Sequence, residues 1–254
     1  MPPSNATSRF SDRVENYVRY RPGYPIDVIQ LLSRECGLSE ASVVADIGSG
    51  TGVLSRMLLE AGSSVFGIEP NDAMRNAAEE LLSGHKNFRS IAGSAEASTL
   101  DPGSVDLITA AQAAHWFERA RARTEFIRIL KPGAWCALIW NERQTGSTAF
   151  LCAYEDLLLQ FATDYEDVRH ERTTDTISEF FAPCRFVERV FHLRQEFDYQ
   201  GLEGRLLSSS YAPTKGHPKH EPMLRELKRI FDAHARNGLV AFEYNTRVYY
   251  GRLE

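Results

Sequence analysis

The densest chemical signal in the chain is Asp46-Ile47-Gly48-Ser49-Gly50-Thr51-Gly52. It lies between a short apolar run, Ser42–Ile47, and a helical pattern, Val53–Ala61. Glycines at the end of a strand let the backbone pass close to a ligand at the sheet's carboxyl edge. The helix that follows offers its first N–H groups to the same place. A dinucleotide fingerprint, G-x-G-x-x-G, needs its third glycine three residues after the second. Here that position is Val53, and the glycine stands at 52. Asp46, two residues before the first glycine, would repel a pyrophosphate but suits a ligand with an ammonium group and no phosphate. Glu69 ends the next strand, 23 residues after Asp46. A carboxylate there can accept two hydrogen bonds from a ribose diol, each contributing roughly 1.5–3 kcal/mol.

These residues need elements to position them. Phe10, Val14, Tyr17 and Val18 recur at helical spacing until Arg21-Pro22-Gly23-Tyr24-Pro25 breaks the run, and Ile26–Cys36 forms a second helix stopped by Gly37. Strands are expected at 42–47, 64–69, 88–92, 105–110 and 135–140. Helices are expected at 53–61, at 71–82 with Asn71 or Asp72 as N-cap, and at 116–130, closed by Lys131-Pro132-Gly133. This alternation predicts an α/β fold, a doubly wound and mostly parallel sheet with helices on both faces.

After Trp140 the pattern changes. Phe150, Leu151, Tyr154, Leu157, Leu158 and Phe161 make a helical stripe, whereas 163–180 is polar without a period. A strand is expected at 186–193, a helix at 202–209, another marked by Met223, Leu224, Leu227, Ile230 and Phe231 and ended by Asn237-Gly238, and a last strand at 240–250 whose aromatics fit a sheet face. The expected organisation is a loose tail, 1–8, and one domain, 9–254. Its core is 38–141 with the strands near 186–193 and 240–250. Cap helices lie in 9–36, 142–184 and 202–237, the last two over the sheet's ligand edge.

The motif Asp46–Gly52 with Ile68-Glu69-Pro70 resembles the fingerprint of class I S-adenosylmethionine-dependent methyltransferases. Gly93-Ser94-Ala95-Glu96 and Leu130-Lys131-Pro132-Gly133 extend the likeness over residues 40–140. Arg21–Pro25, Ala111–Phe117 and Ser209-Ser210-Tyr211-Ala212-Pro213 resemble a small-molecule branch that includes type-11-like and trans-aconitate methyltransferases. The resemblance implies a Rossmann-like sheet of seven strands with helical cap insertions. S-adenosyl-L-methionine is the implied methyl donor, S-adenosyl-L-homocysteine the product, and no metal is required. Gly48, Ser49 and Gly50 would line the methionine part, Glu69 would hold the ribose, and Pro70 and Met74 would border the adenine. Ala95 and Glu96 would sit at the adenine's edge; many relatives carry Asp where this chain has Glu96. Ala111 and Gln112 would lie near the sulfonium. Tyr17, Tyr20 and Arg21 would close over the donor, with Arg21 partnering its carboxylate.

The implied acceptor is a small molecule bearing a carboxylate, hydroxyl or amine. A hydroxyl or ammonium acceptor needs a base; His115 is the first candidate and Tyr211 a distant second. The position of His115 beside Trp116 and Phe117 suits a packed residue equally well. A carboxylate acceptor would need cations, for which Arg143, Lys215 and Arg21 are available. Arg119, Arg121 and Arg123 alternate with alanine and read as a solvated helix face. His217 and His220 read as loop residues with no metal-ligand pattern around them.

Composition narrows the function classes. With 29 Lys+Arg against 34 Asp+Glu, the net charge of −5 gives no global attraction for nucleic acid or anionic lipid. The Asn/Asp-Pro-Pro-aromatic stretch of nucleic-acid methyltransferases is replaced by Ala111-Gln112-Ala113-Ala114. No run of ~18 apolar residues suggests a membrane span. Met1–Ser8 lacks the apolar stretch of a secretory signal, so the sequon Asn5-Ala6-Thr7 reads as chance. Cys36, Cys136, Cys152 and Cys184 form no CxxC pair and read as buried or half-buried thiols of a reducing, cytoplasmic location. The expected state is a monomer or homodimer. The competing readings are an NAD(P)-binding oxidoreductase and a non-catalytic S-adenosylmethionine-binding protein.

Overall fold

The computed structural model of the chain describes residues 19–163, 165 and 174–254. The expectations for the tail 1–8, the sequon, the first helical piece up to Val18, and Tyr17 lie outside the described residues. Seven strands form one sheet: β1 (Val43–Ile47), β2 (Ser64–Ile68), β3 (Phe88–Ile91), β4 (Val105–Ala111), β5 (Leu130–Arg143), β6 (Phe186–Phe197) and β7 (Val240–Gly251). Their order is β3-β2-β1-β4-β5-β7-β6, and all pairs are parallel except those of β7 with β5 and β6. This is the doubly wound, mostly parallel sheet expected from the alternation, in the seven-stranded Rossmann-like form that the resemblance implies.

The order reverses between β1 and β4, because β1 leads outward to β2 and β3 while β4 starts the other half. Ligands of open α/β sheets bind at such a switch, beyond the strands' carboxyl ends. The Gly48–Gly52 turn and Gln112 both stand there.

Eight helices have described bounds: α1 (Ile26–Cys36), α2 (Val53–Glu60), α3 (Asp72–Leu81), α4 (Arg119–Ile129), α5 (Ala149–Phe161), α6 (Thr174–Phe181), α7 (Tyr199–Leu207) and α8 (His220–His234). Strand residues alternate between two apolar layers, as a period of two requires. Val44, Leu107, Ala137, Ile139 and Val248 pack with α1 and α2 on one face. Ala45, Ile108, Ala110, Cys136 and Leu138 pack with α4 and α6 on the other. A third cluster unites α5, α7 and α8 with Phe197, Val240, Phe242 and Tyr244. So β7 is paired with β6 throughout, while its second half packs in the sheet's two layers and its first half carries the third cluster.

Several boundaries differ from expectation for local reasons. The helix expected at 116 starts at Arg119, because Ala114–Trp116 forms a 3-10 turn and Glu118 is the N-cap, accepting from Ala120 N and Arg121 N. Lys131-Pro132-Gly133 does not sit outside the sheet: Leu130 already pairs with Val105, and the ladder resumes at Trp135 opposite Leu107 after an irregularity. Within the aperiodic 163–180 stretch, α6 seats Ile177, Phe180 and Phe181 in the core. His220 is not in a loop; it opens α8, buried, with Nδ1 2.8 Å from the Pro213 carbonyl. Arg123 is not merely solvated, since it donates to the carbonyls of Phe180 and Leu253. Cys152 is exposed rather than buried.

Candidate functional site

The glycine turn is left-handed at Gly48, Gly50 and Gly52, with φ of +67°, +56° and +82°. Gly48 is also sterically required, and Gly52 stands close against a side chain. A Cβ on Gly48 would meet Ala113 Cβ at 2.5 Å, and one on Gly52 would meet Leu82 at 2.7 Å. At Gly50 nothing lies within 4 Å of such a Cβ, so the turn there faces open space. Gly52 caps α2 without any side-chain hydrogen bond, and Val53 and Leu54 of its first turn border the same space. The positive end of α2 therefore opens onto it.

Glu69 is nearly fully buried. Its Oε2 accepts from Gly50 N at 3.0 Å and its Oε1 from Asn71 N at 2.9 Å. Each oxygen keeps acceptor capacity for a further donor. Burial raises the carboxyl above its ordinary value, against the two N–H groups and Arg75. Asn71 also caps α3 by accepting from Met74 N. The two expected carboxylates thus play different parts. Both Asp46 oxygens are engaged inside the protein, by Ser55 Oγ at 2.6 Å and Thr109 Oγ1 at 2.9 Å. Burial pushes the Asp46 carboxyl up to about 6 despite those bonds.

A cavity of ≈ 400 Å³ adjoins the turn. Of the residues singled out in the sequence, Asp46, Gly48, Ser49, Gly50, Ala111, Gln112, His115 and Arg21 line it. Trp116 stands in its wall, beside the His115 ring at 4.8 Å. Glu69, Pro70, Met74, Ala95 and Glu96 do not line this cavity. Glu96 accepts from Glu118 N at 2.8 Å and so anchors the entry to α4. Tyr20 belongs to the cap's packing; a Cβ on Gly204 would lie 2.1 Å from its ring. Lys215 is exposed in a loop, away from the cavity.

A hydrogen-bonded chain fixes the cavity's floor. Gln112, left-handed at φ +56°, donates through Nε2 to the Asn141 carbonyl at 3.0 Å. Asn141 donates to Gly23 O at 2.8 Å and accepts from Thr246 Oγ1 at 2.6 Å. The Arg21–Pro25 segment is thereby tied to β5 and β7, while Arg21 Nη2 reaches the Ser208 carbonyl in the cap at 3.1 Å. A non-glycine residue in the left-handed region at a cavity is the kind of strain that gathers at functional sites.

The cap contributes side chains that the motifs did not single out: Arg205, Tyr165 and, from β7, Tyr244. Tyr244 therefore does more than fill a sheet face. Arg205 left one trace in the sequence, a lone cation on the apolar face between Leu202 and Leu206. Arg143, at the end of β5, donates to Glu155 and to Tyr165 Oη, the latter at 2.9 Å. Burial raises the Tyr211 phenol, but Arg205, Arg143 and Arg21 outweigh it and hold it below the ordinary value. The residues present fit a nucleoside-bearing ligand. The turn is open at Gly50, a helix N-terminus faces the cavity, and a buried carboxylate with spare lone pairs is bonded to that turn.

Comparisons with known proteins point the same way. Residues 45–138 match the family model of a methyltransferase domain. An uncharacterized methyltransferase of Mycobacterium tuberculosis is 37% identical over 134 residues, which is 53% of this chain and 52% of the relative. One from Bacillus subtilis is 30% identical over 152 residues, 58% of this chain and 70% of the relative. Among solved structures, an inferred type II methyltransferase from Anaeromyxobacter dehalogenans shares the fold. The TM-score is 0.67 at 21% identity, covering 92% of this chain and 98% of the other. The chain spans about half the length of the mycobacterial relatives it matches.

Proposed function

Because the chain belongs to the class I S-adenosylmethionine-dependent methyltransferases, we propose that it methylates a small-molecule acceptor held in the cavity beside the glycine turn. The observation that carries this is the open, left-handed Gly50, hydrogen-bonded to the buried Glu69 and bordering a cavity of ≈ 400 Å³. That volume is in the range of small-molecule sites.

Gly48, Ser49 and Gly50 would hold the donor's methionine part, Glu69 its ribose, and Pro70, Met74, Ala95 and Glu96 its adenine. Bound S-adenosylmethionine supplies a methyl group already activated by its positive sulfur. The chain's own task is then alignment and exclusion of water. Well-oriented reactants gain up to ~7–11 kcal/mol, and a closed site removes competing solvent. Ala111 and Gln112, at the end of β4 and lining the cavity, would border the reacting centre. His115 stands in the cavity wall, where it would take the proton of a hydroxyl or ammonium acceptor. Core and cap act as one unit in this reading, since cavity residues come from both. Among the described residues no helix is long and apolar enough to cross a membrane. A reducing, cytoplasmic setting suits the four free thiols.

Isothermal titration tests the reading. S-adenosylhomocysteine should bind at micromolar concentration and NAD(H) should not. Binding of NAD(H) without S-adenosylhomocysteine would overturn the donor assignment.

A further inference from the structure

We infer that the acceptor carries a carboxylate group, and that Arg205 and Arg143 together hold it at the cap's side of the cavity. This rests on the methyl-transfer reading above and goes beyond it by naming the acceptor's chemistry.

Both arginines form part of the cavity wall; Arg205 is buried at 6% exposure, and the Arg143 side chain is nearly so at 10%. Arg143 uses Nη2 on Glu155 and Tyr165, but its Nη1 is buried without a partner. Arg205 donates through Nη1 to Ser209 Oγ at 3.2 Å, and its Nε is likewise buried without a partner. Among the described residues no carboxylate pairs with Arg205. Its guanidinium lies 5.9 Å from the Phe242 ring, and that of Arg143 lies 5.1 Å from the Tyr154 ring.

Arginine cannot shed its charge, so a buried one must be compensated. Glu155 serves Arg143. Glu142, also at the cavity, is engaged by Arg247, and both Asp46 oxygens are taken by hydroxyls. Among the described residues Glu155 is the one carboxylate that pairs with either arginine. Buried donors are nearly always satisfied in native proteins; here two orphaned N–H groups belong to the wall of one cavity. A carboxylate completes this arrangement, since it accepts from two guanidiniums at once and cancels the surplus charge. An amine acceptor would be repelled. Arg205, Arg143 and Arg21, which outweigh burial to hold the Tyr211 phenol below its ordinary value, line the same cavity as Tyr211.

The test titrates protein saturated with S-adenosylhomocysteine against succinate, benzoate, inorganic phosphate and the uncharged succinamide. At least one carboxylate should bind and succinamide should not. Arg205→Gln and Arg143→Gln should each weaken that carboxylate at least tenfold, with S-adenosylhomocysteine affinity changed less than threefold. Arg205→Lys, which keeps the charge, should fall between wild type and Arg205→Gln, and it serves as the readout if the glutamine variant does not fold. The inference is overturned if no carboxylate binds, if phosphate binds more tightly, or if the variants bind carboxylate as wild type does. It is also overturned if the variants lose S-adenosylhomocysteine affinity in parallel, which would assign the arginines to the donor's own carboxylate. If wild type binds no S-adenosylhomocysteine, the methyl-transfer reading itself fails; the other outcomes leave that reading standing.

Discussion

The backbone N–H of Gly50 donates to Glu69 Oε2 at 3.0 Å. The glycine turn after β1 and the acidic tip after β2 are thus one hydrogen-bonded unit. Glu69 orders the turn while each of its oxygens keeps capacity to accept from a further donor. Its removal should act twice. Glu69→Ala is expected to weaken S-adenosylhomocysteine binding by roughly 2–3 kcal/mol through lost charged hydrogen bonds. It should also lower the melting temperature, because Gly50 and Asn71 N–H lose their acceptor. Calorimetric titration and thermal unfolding read the two effects separately, and unchanged affinity would place the ribose elsewhere.

Gly48 and Gly50 share a backbone conformation but not a neighbourhood. Gly48→Ala drives a methyl into Ala113, 2.5 Å away, and should destabilise the fold by several kcal/mol. Gly50→Ala meets no atom and carries only the left-handed strain, about 1–2 kcal/mol. Its new methyl projects into the space beside the turn. The expected result is a folded Gly50→Ala protein with S-adenosylhomocysteine affinity reduced at least tenfold. Circular dichroism and titration on both variants decide it.

Much of this geometry was legible in the sequence, for identifiable reasons. Ile26–Cys36 is bracketed by Pro25 and Gly37, and Gly37 closes the helix in the left-handed region, so both ends were fixed. Asn71 was an N-cap because its side chain competes well for the first-turn N–H groups. What escaped was set by tertiary contact. Helix α6 is only 8 residues long, and its apolar residues gain meaning from the sheet they cover. Strand β6 runs on to Phe197 through Arg194, Gln195 and Glu196, because an edge strand keeps a charged outer face. Arg205 and Arg143 come from segments 62 residues apart, so their shared wall has no local pattern.

Asp46 should make stability fall with pH over a defined window. Burial holds its folded carboxyl at about 6, above the ordinary 3.8. From about pH 4 to 6 the unfolded chain releases this proton and the folded chain keeps it. Folding stability therefore drops across that interval and levels off above it. Asp46→Asn removes the titration, and the hydroxyls of Ser55 and Thr109 can donate or accept as the amide requires. The stability of Asp46→Asn relative to wild type should rise by on the order of 2–3 kcal/mol between pH 4 and 6. Urea unfolding at stepped pH measures it; a flat difference would refute the raised value.

His115 lies in the cavity wall, whereas Glu69 does not line the cavity. His115→Ala should leave S-adenosylhomocysteine affinity within threefold of wild type. Turnover of donor in the presence of a productive acceptor should fall by on the order of 10²–10⁴, the usual contribution of a positioned base. Equal rates would assign the ring to packing against Trp116.

Gln112 offers a test of strain that is independent of any ligand. Its φ of +56° places a side-chain-bearing residue in the region that favours glycine. The position is held by Gln112 N donating to Ile139 O at 2.9 Å and by Nε2 donating to Asn141 O at 3.0 Å. Gln112→Ala and Gln112→Gly both lose the side-chain bond, so their difference isolates the backbone. Elsewhere alanine is the more stable of the two; here glycine should be, by about 1 kcal/mol. Chemical denaturation of the pair measures it, and a more stable alanine variant would show that β4 ends without strain at the cavity.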